Sequence, residues 1–80
     1  MTRSITVYGA DWCGDCIRAK RVLDRTGTSY EWIDVDVIAG AADEARRISG
    51  RKNIPVVVMP DGSILVEPTD PELERAITGS

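Results

Sequence analysis

An α/β fold of order β-α-β-α-β-β-α, a mixed four-stranded sheet flanked by helices, follows from three observations on this 80-residue chain. Strand-like and helix-period segments alternate twice in the first half. A proline-led valine run, Ile54-Pro55-Val56-Val57-Val58-Met59, is followed by turn chemistry at Pro60-Asp61-Gly62 and a second short apolar arm,. The chain then closes on a capped, apolar-striped segment.

Each element has its own reason. Ile5-Thr6-Val7-Tyr8 alternates and is β-branched or aromatic, so it reads as a strand that Gly9 and Ala10 end as a loop,. A first helix is expected from about Cys13 to Arg25. Its inward face is Cys16, Ala19, Val22 and Leu23, with Thr26 close behind, and Gly27 is the stop,. Tyr30 to Val35 reads as the second strand. Ile38, Ala41, Ala42, Ala45 and Ile48 recur at helical spacing, which places a second helix from somewhere between Asp36 and Ala41 to a cap at Gly50,. Proline is tolerated at the start of a strand, so Pro55 leads the third; Val56-Val57-Val58 lacks polar alternation and suits a central strand buried on both faces. Ser63 to Val66 is the return arm. Thr69 or Asp70 caps the last helix, with Pro71 in its first turn and Leu73, Ala76 and Ile77 as its stripe,. The opening β-α-β makes strands one and two parallel, and the hairpin makes strands three and four antiparallel.

Size and composition exclude several function classes. Eighty residues form one domain, spanning 1–80, with a core of Ile, Val, Leu and Ala because Phe is absent,. No segment approaches the roughly 20 apolar residues of a membrane span, and no secretory signal opens the chain, so the cytoplasm is the expected compartment. The net charge of −3 and the lack of a long basic run argue against nucleic acid as a partner,. Nothing in the sequence calls for more than a monomer.

The two cysteines are Cys13 and Cys16, in Asp11-Trp12-Cys13-Gly14-Asp15-Cys16, between a strand and a helix. A helix N-terminus offers free N–H groups and a partial positive charge, both of which favour thiolate, the reactive form of cysteine. Two thiols three positions apart on one helical turn can also close into a disulfide. Cys13, at the end of the helix, is the expected nucleophile; Cys16, one turn in and more buried, is the expected resolving thiol. Asp15 opposes a second negative charge beside the sulfurs. Two other readings stay open on the residues alone. The thiols could be inert packing groups. They could also be half of a metal site or a shared iron–sulfur cluster, although zinc takes four ligands and the chain has no His,.

The stretch Tyr8 to Cys16, Ile54-Pro55 and the closing hairpin and helix together resemble the thioredoxin superfamily, and at this length its glutaredoxin branch. Within that branch, Tyr8-Gly9-Ala10-Asp11-Trp12-Cys13 is most similar to the mycoredoxins. The resemblance implies a thioredoxin-like fold and a thiol–disulfide oxidoreductase with no bound cofactor. Its co-substrate would be a low-molecular-weight thiol, mycothiol or glutathione, and its partners mixed-disulfide client proteins. It implies a cis Pro55 beside the reactive sulfur, with the Ile54 backbone open to a client or small thiol. Trp12, Gly14, Ile54, Pro55 and Asp70 are the expected substrate-binding residues. Gly14-Asp15 stands where glutaredoxins carry Pro-Tyr, and Ala10 where glutathione users often carry Lys; these departures favour mycothiol. Gly14 resembles thioredoxin, which implies the alternative of a protein disulfide reductase recycled by a flavin-dependent reductase.

Overall fold

Among residues 4–79, which the computed structural model describes, the elements are β1 (Ile5–Gly9), α1 (Gly14–Arg25), β2 (Tyr30–Asp34), α2 (Ala41–Ser49), β3 (Val56–Val58), β4 (Ile64–Val66) and α3 (Asp70–Thr78). The order is the expected one. The sheet runs β2-β1-β3-β4, with β1 parallel to β2 and antiparallel to β3, and β3 antiparallel to β4. This is the thioredoxin-like arrangement.

Strand periodicity assigns the two faces. Ile5, Val7 and Val57 point to one side, where they pack with Ala19, Val22 and Leu23 of α1 and Leu73 of α3,. Tyr8 and Val56 point to the other, against Ala45 of α2. β3 lies between β1 and β4, which explains why its valines lack polar alternation,.

Register fixes which loops share one end of the sheet. Tyr8 pairs with Val56 and Thr6 with Val58, so the end of β1 and the start of β3 share one edge of the molecule. Val66 pairs with Val56, which brings the chain leaving β4 to the same edge, just before α3 begins. The Pro60-Asp61-Gly62 turn, closed by the Met59 N–H on the Ser63 carbonyl at 2.8 Å, lies at the opposite edge.

Helix ends follow local chemistry. All four expected inward residues of α1 are buried. Thr26, expected just behind them, is instead an exposed C-cap; its hydroxyl donates to the Val22 carbonyl at 2.9 Å. Gly27, at φ +69°, completes a Schellman motif: its N–H reaches the Asp24 carbonyl at 3.2 Å, and the Thr28 N–H reaches that of Leu23 at 2.9 Å,. Ile38 does not belong to α2. The Asp34 carboxylate accepts the Asp36 N–H at 2.9 Å, and Gly40 sits at φ +81°, so a turn occupies this stretch and the helix starts at Ala41,. Ile38 and Ala42 are consequently exposed.

α3 carries a full capping box. The Thr69 hydroxyl accepts the Glu72 N–H at 3.2 Å, and the Glu72 carboxylate accepts the Thr69 N–H at 2.8 Å,. Thr69→Ala is expected to cost about 0.5–2 kcal/mol, read as a lower urea midpoint with an unchanged denaturant slope.

Candidate functional site

The strand-to-helix passage that ends β1 sets up the site. Cys13 is the N-cap of α1, with extended backbone (φ −85°, ψ 115°), and its sulfur accepts the Cys16 N–H at 3.3 Å. A sulfur thus stands where Ser or Asp usually caps a helix. Of the N–H groups expected to face it, that of Cys16 makes the hydrogen bond. The Cys13 thiol donates weakly to the Ile54 carbonyl at 3.8 Å. Helix N-terminus and β3 approach thereby meet at one atom. The Ile54–Pro55 peptide is cis, as the resemblance implies, and Pro55 is fully buried.

The two thiols are free and differ sharply. Cys13 is half-buried, whereas Cys16 has no solvent exposure. Burial, above all, pushes the Cys16 thiol up from its ordinary 9.0 to about 12; a hydrogen bond with Cys13 adds to this and one with the Ala10 backbone opposes it,. The sign of the stability effect follows. Between about 9 and about 12 the unfolded chain has lost a proton that the folded chain keeps,. Stability from this group is therefore complete below that window and declines as pH rises through it. Urea midpoints should fall more steeply across alkaline pH in the parent protein than in Cys16→Ser.

Sequence reasoning missed the reason Cys16 is held so tightly. Gly9 is the last residue of β1, not a loop. A Cβ on it would lie 2.6 Å from Cη2 of Trp32 and 2.9 Å from the Cys16 sulfur. The strand backbone, a thiol and an indole ring therefore share a space that only glycine leaves open. Lys20 covers the same indole, with Nζ 4.2 Å from the ring centroid,. The one signal in the sequence was a glycine ending a strand, which also describes an ordinary loop.

The remaining expected residues surround the sulfur unequally. Trp12 is 72% exposed, and its Nε1 donates to Asp36 at 2.5 Å. Val37 and Ile38, which follow Asp36 in the chain, are exposed as well. Trp12 and Ile54 also border a cavity of about 400 Å³ rimmed by Arg46, Arg51 and Lys52. Gly14 begins α1 with open space around it. Asp70 faces Arg18, whose Nε lies 3.0 Å from its carboxylate, while the same guanidinium meets Asp15 at 2.8 Å. Among the described residues, no group of three or more His, Cys, Asp or Glu could hold a metal ion, and no helix is long and apolar enough to cross a membrane.

A thiol capping a helix, a buried thiol one turn behind it and a cis-proline loop against the first sulfur stand together on a thioredoxin-like fold, an arrangement suited to thiol–disulfide exchange,. Comparison with known proteins narrows the class. The glutaredoxin family model matches residues 5–64, three quarters of the chain. A Mycobacterium tuberculosis protein assigned to the glutaredoxins is 31% identical over 96% of this chain and 93% of its own. The glutaredoxin-like protein NrdH of Escherichia coli is 39% identical over 71% of this chain and 69% of its own. Among solved structures, the glutaredoxin of Archaeoglobus fulgidus superposes with a TM-score of 0.82 at 28% identity, covering 96% of this chain and 87% of that one. The chain belongs to the glutaredoxin family.

Proposed function

We propose that this oxidoreductase reduces mixed disulfides between a low-molecular-weight thiol, mycothiol, and proteins, as a cytoplasmic monomer. The observation that carries the reading is the asymmetry of the two sulfurs: one accessible at a helix N-terminus, the other sealed behind it. The Cys13 thiolate attacks the mixed disulfide. A new Cys13–sulfur bond forms as the old S–S bond breaks, and the leaving thiol departs as thiolate and takes up a proton from water. A second small thiol, as thiolate, then attacks the small-thiol sulfur bonded to Cys13, releasing the Cys13 thiolate and a small-thiol disulfide. Alternatively Cys16, once deprotonated, attacks the Cys13 sulfur, expels the small thiol and leaves a Cys13–Cys16 disulfide that an external thiol or a reductase reduces. Trp12, Gly14 and Ile54 form the surface around the reacting disulfide, the buried Pro55 holds the Ile54 backbone in place, and that backbone pairs with the extended arm of the substrate,.

Two observations support mycothiol over glutathione. The N-terminus of α3, beside the site, is filled by its own capping box and flanked by Asp70 and Glu72. A thiol bearing carboxylates meets acids there, whereas mycothiol, an amide-linked sugar thiol, carries no carboxylate. Ala10 and Gly14-Asp15, standing where glutathione users often carry Lys and where glutaredoxins carry Pro-Tyr, agree. A second reading is a dithiol protein reductase recycled by a flavin-dependent reductase. The exposed apolar side chains of Trp12, Val37 and Ile38 support it, because small thiols need no such side chains while protein partners use them,.

The test offers the oxidised protein to mycothiol, to glutathione and to a flavin-dependent thioredoxin reductase with NADPH, and repeats the mycothiol arm with Cys16→Ser. Reduction by mycothiol and retained activity of Cys16→Ser on a mycothiol-capped protein fit the proposal. Reduction by the flavoenzyme alone, with Cys16→Ser trapping client complexes, selects the second reading.

A further inference from the structure

We propose that Arg18 is a positioning residue that holds the Asp15 carboxylate in an ion pair anchored on Asp70, and thereby keeps a negative charge from acting on the Cys13 sulfur. The inference rests on reading Cys13 as the nucleophile. Asp15 stands between the two cysteines in the first turn of α1, and its carboxylate competes with the sulfur for the same helix N-terminus,. Uncompensated, a carboxylate in this turn repels the negative charge of an attacking sulfur and of the thiolate leaving a disulfide, and so slows the exchange.

The geometry supplies the compensation. Arg18 is one turn along the same face, with Nη1 2.8 Å from Asp15 and Nε 3.0 Å from Asp70, so two edges of one planar guanidinium are each occupied by a different carboxylate,. Asp70 is itself fixed as the first residue of α3, directly after the Thr69 cap. A second bridge between the same helices, Arg25 to Glu74 at 3.2 Å, keeps α1 and α3 in register. The guanidinium is therefore pinned from both sides, and Asp15 is drawn along the helix toward it. Asp70 acts here as the anchor of that pair. A lysine, a point charge without the planar fork, holds one carboxylate at a time.

The experiment measures alkylation of the reduced protein by iodoacetamide across pH, with the modified sulfur mapped by mass spectrometry. The proteins are the parent, Arg18→Gln, Arg18→Lys, Asp15→Asn and the double variant, and thermal unfolding is followed for each. Arg18→Gln is expected to slow Cys13 alkylation near neutral pH roughly twofold to fivefold, as befits half-exposed charges, and to move the rate profile to higher pH. In the Asp15→Asn background the same change should have little effect, Arg18→Lys should recover part of the rate, and 0.5 M salt should shrink the differences. Equal slowing with and without the Asp15 carboxylate overturns the inference, because Arg18 then acts without it. So does an unchanged rate in Arg18→Gln while Cys13 reacts normally, an outcome that leaves the nucleophile assignment standing. If Cys13 fails to react in the parent, both readings fall.

Discussion

Cys13→Ser is expected to lower the rate of mixed-disulfide reduction by about three orders of magnitude or more, to the level of the uncatalysed exchange. A serine hydroxyl does not ionise near neutral pH and forms no mixed disulfide, so no covalent intermediate is available. The substitution is unusually clean in this fold. The Cys13 sulfur caps α1 by accepting the Cys16 N–H at 3.3 Å, and serine is among the best residues for that position,. Stability should stay within about 0.5 kcal/mol of the parent or rise, which separates lost chemistry from lost structure. The variant should also resist alkylation under native conditions, because the thiol that remains, Cys16, has no solvent exposure. Retained turnover in Cys13→Ser would move the nucleophile elsewhere.

Gly9→Val is expected to destabilise the fold at or above the top of the roughly 1–3 kcal/mol range for overpacked cores. A chain of this length has only about 4–12 kcal/mol in all. The strand cannot retreat from the added side chain. Gly9 is paired with Asp34 in β2, and its carbonyl accepts the Val35 N–H at 2.9 Å. The new atoms must therefore displace the Trp32 ring, the Cys16 sulfur or both. Urea unfolding measures the cost, and native-state alkylation of Cys16, protected in the parent, should become detectable. A smaller ring space relieves the clash, so Trp32→Leu should recover part of the stability in the Gly9→Ala background. Full stability with Cys16 still protected would mean that the indole swings aside without cost.

What the sequence made legible was periodic or local. The face Cys16, Ala19, Val22 and Leu23 could be read because burial on one side of a helix repeats every three or four residues. Val56-Val57-Val58 announced a central strand because both of its faces are covered. The Thr69-to-Glu72 box and the Asp61-Gly62 turn are spacings of a few residues. The helix-capping thiol, the buried thiol one turn on and Pro55 were legible for the same reason, as short motifs at a strand–helix junction and a strand start. What stayed hidden depends on residues far apart in the chain. Nothing near Gly9 says that Trp32 will lie against it, and nothing near Asp70 says that Arg18 will reach it. Ile38 fits the helical period of α2, but the Asp34 turn and the left-handed Gly40 outweigh that period. The capping box that fills the N-terminus of α3 was legible as a cap; its bearing on which thiol fits depended on seeing that helix end beside the sulfur.

The antiparallel pairing of β3 with its neighbours puts the Pro60-Asp61-Gly62 tip at the far edge of the sheet from Cys13. Exposed loop tips of this kind tolerate insertion best. A linker to an electrode, a bead or a fluorescent protein grafted at Asp61 would therefore leave the Cys13 edge turned outward, making the protein attachable at its back without blocking its front.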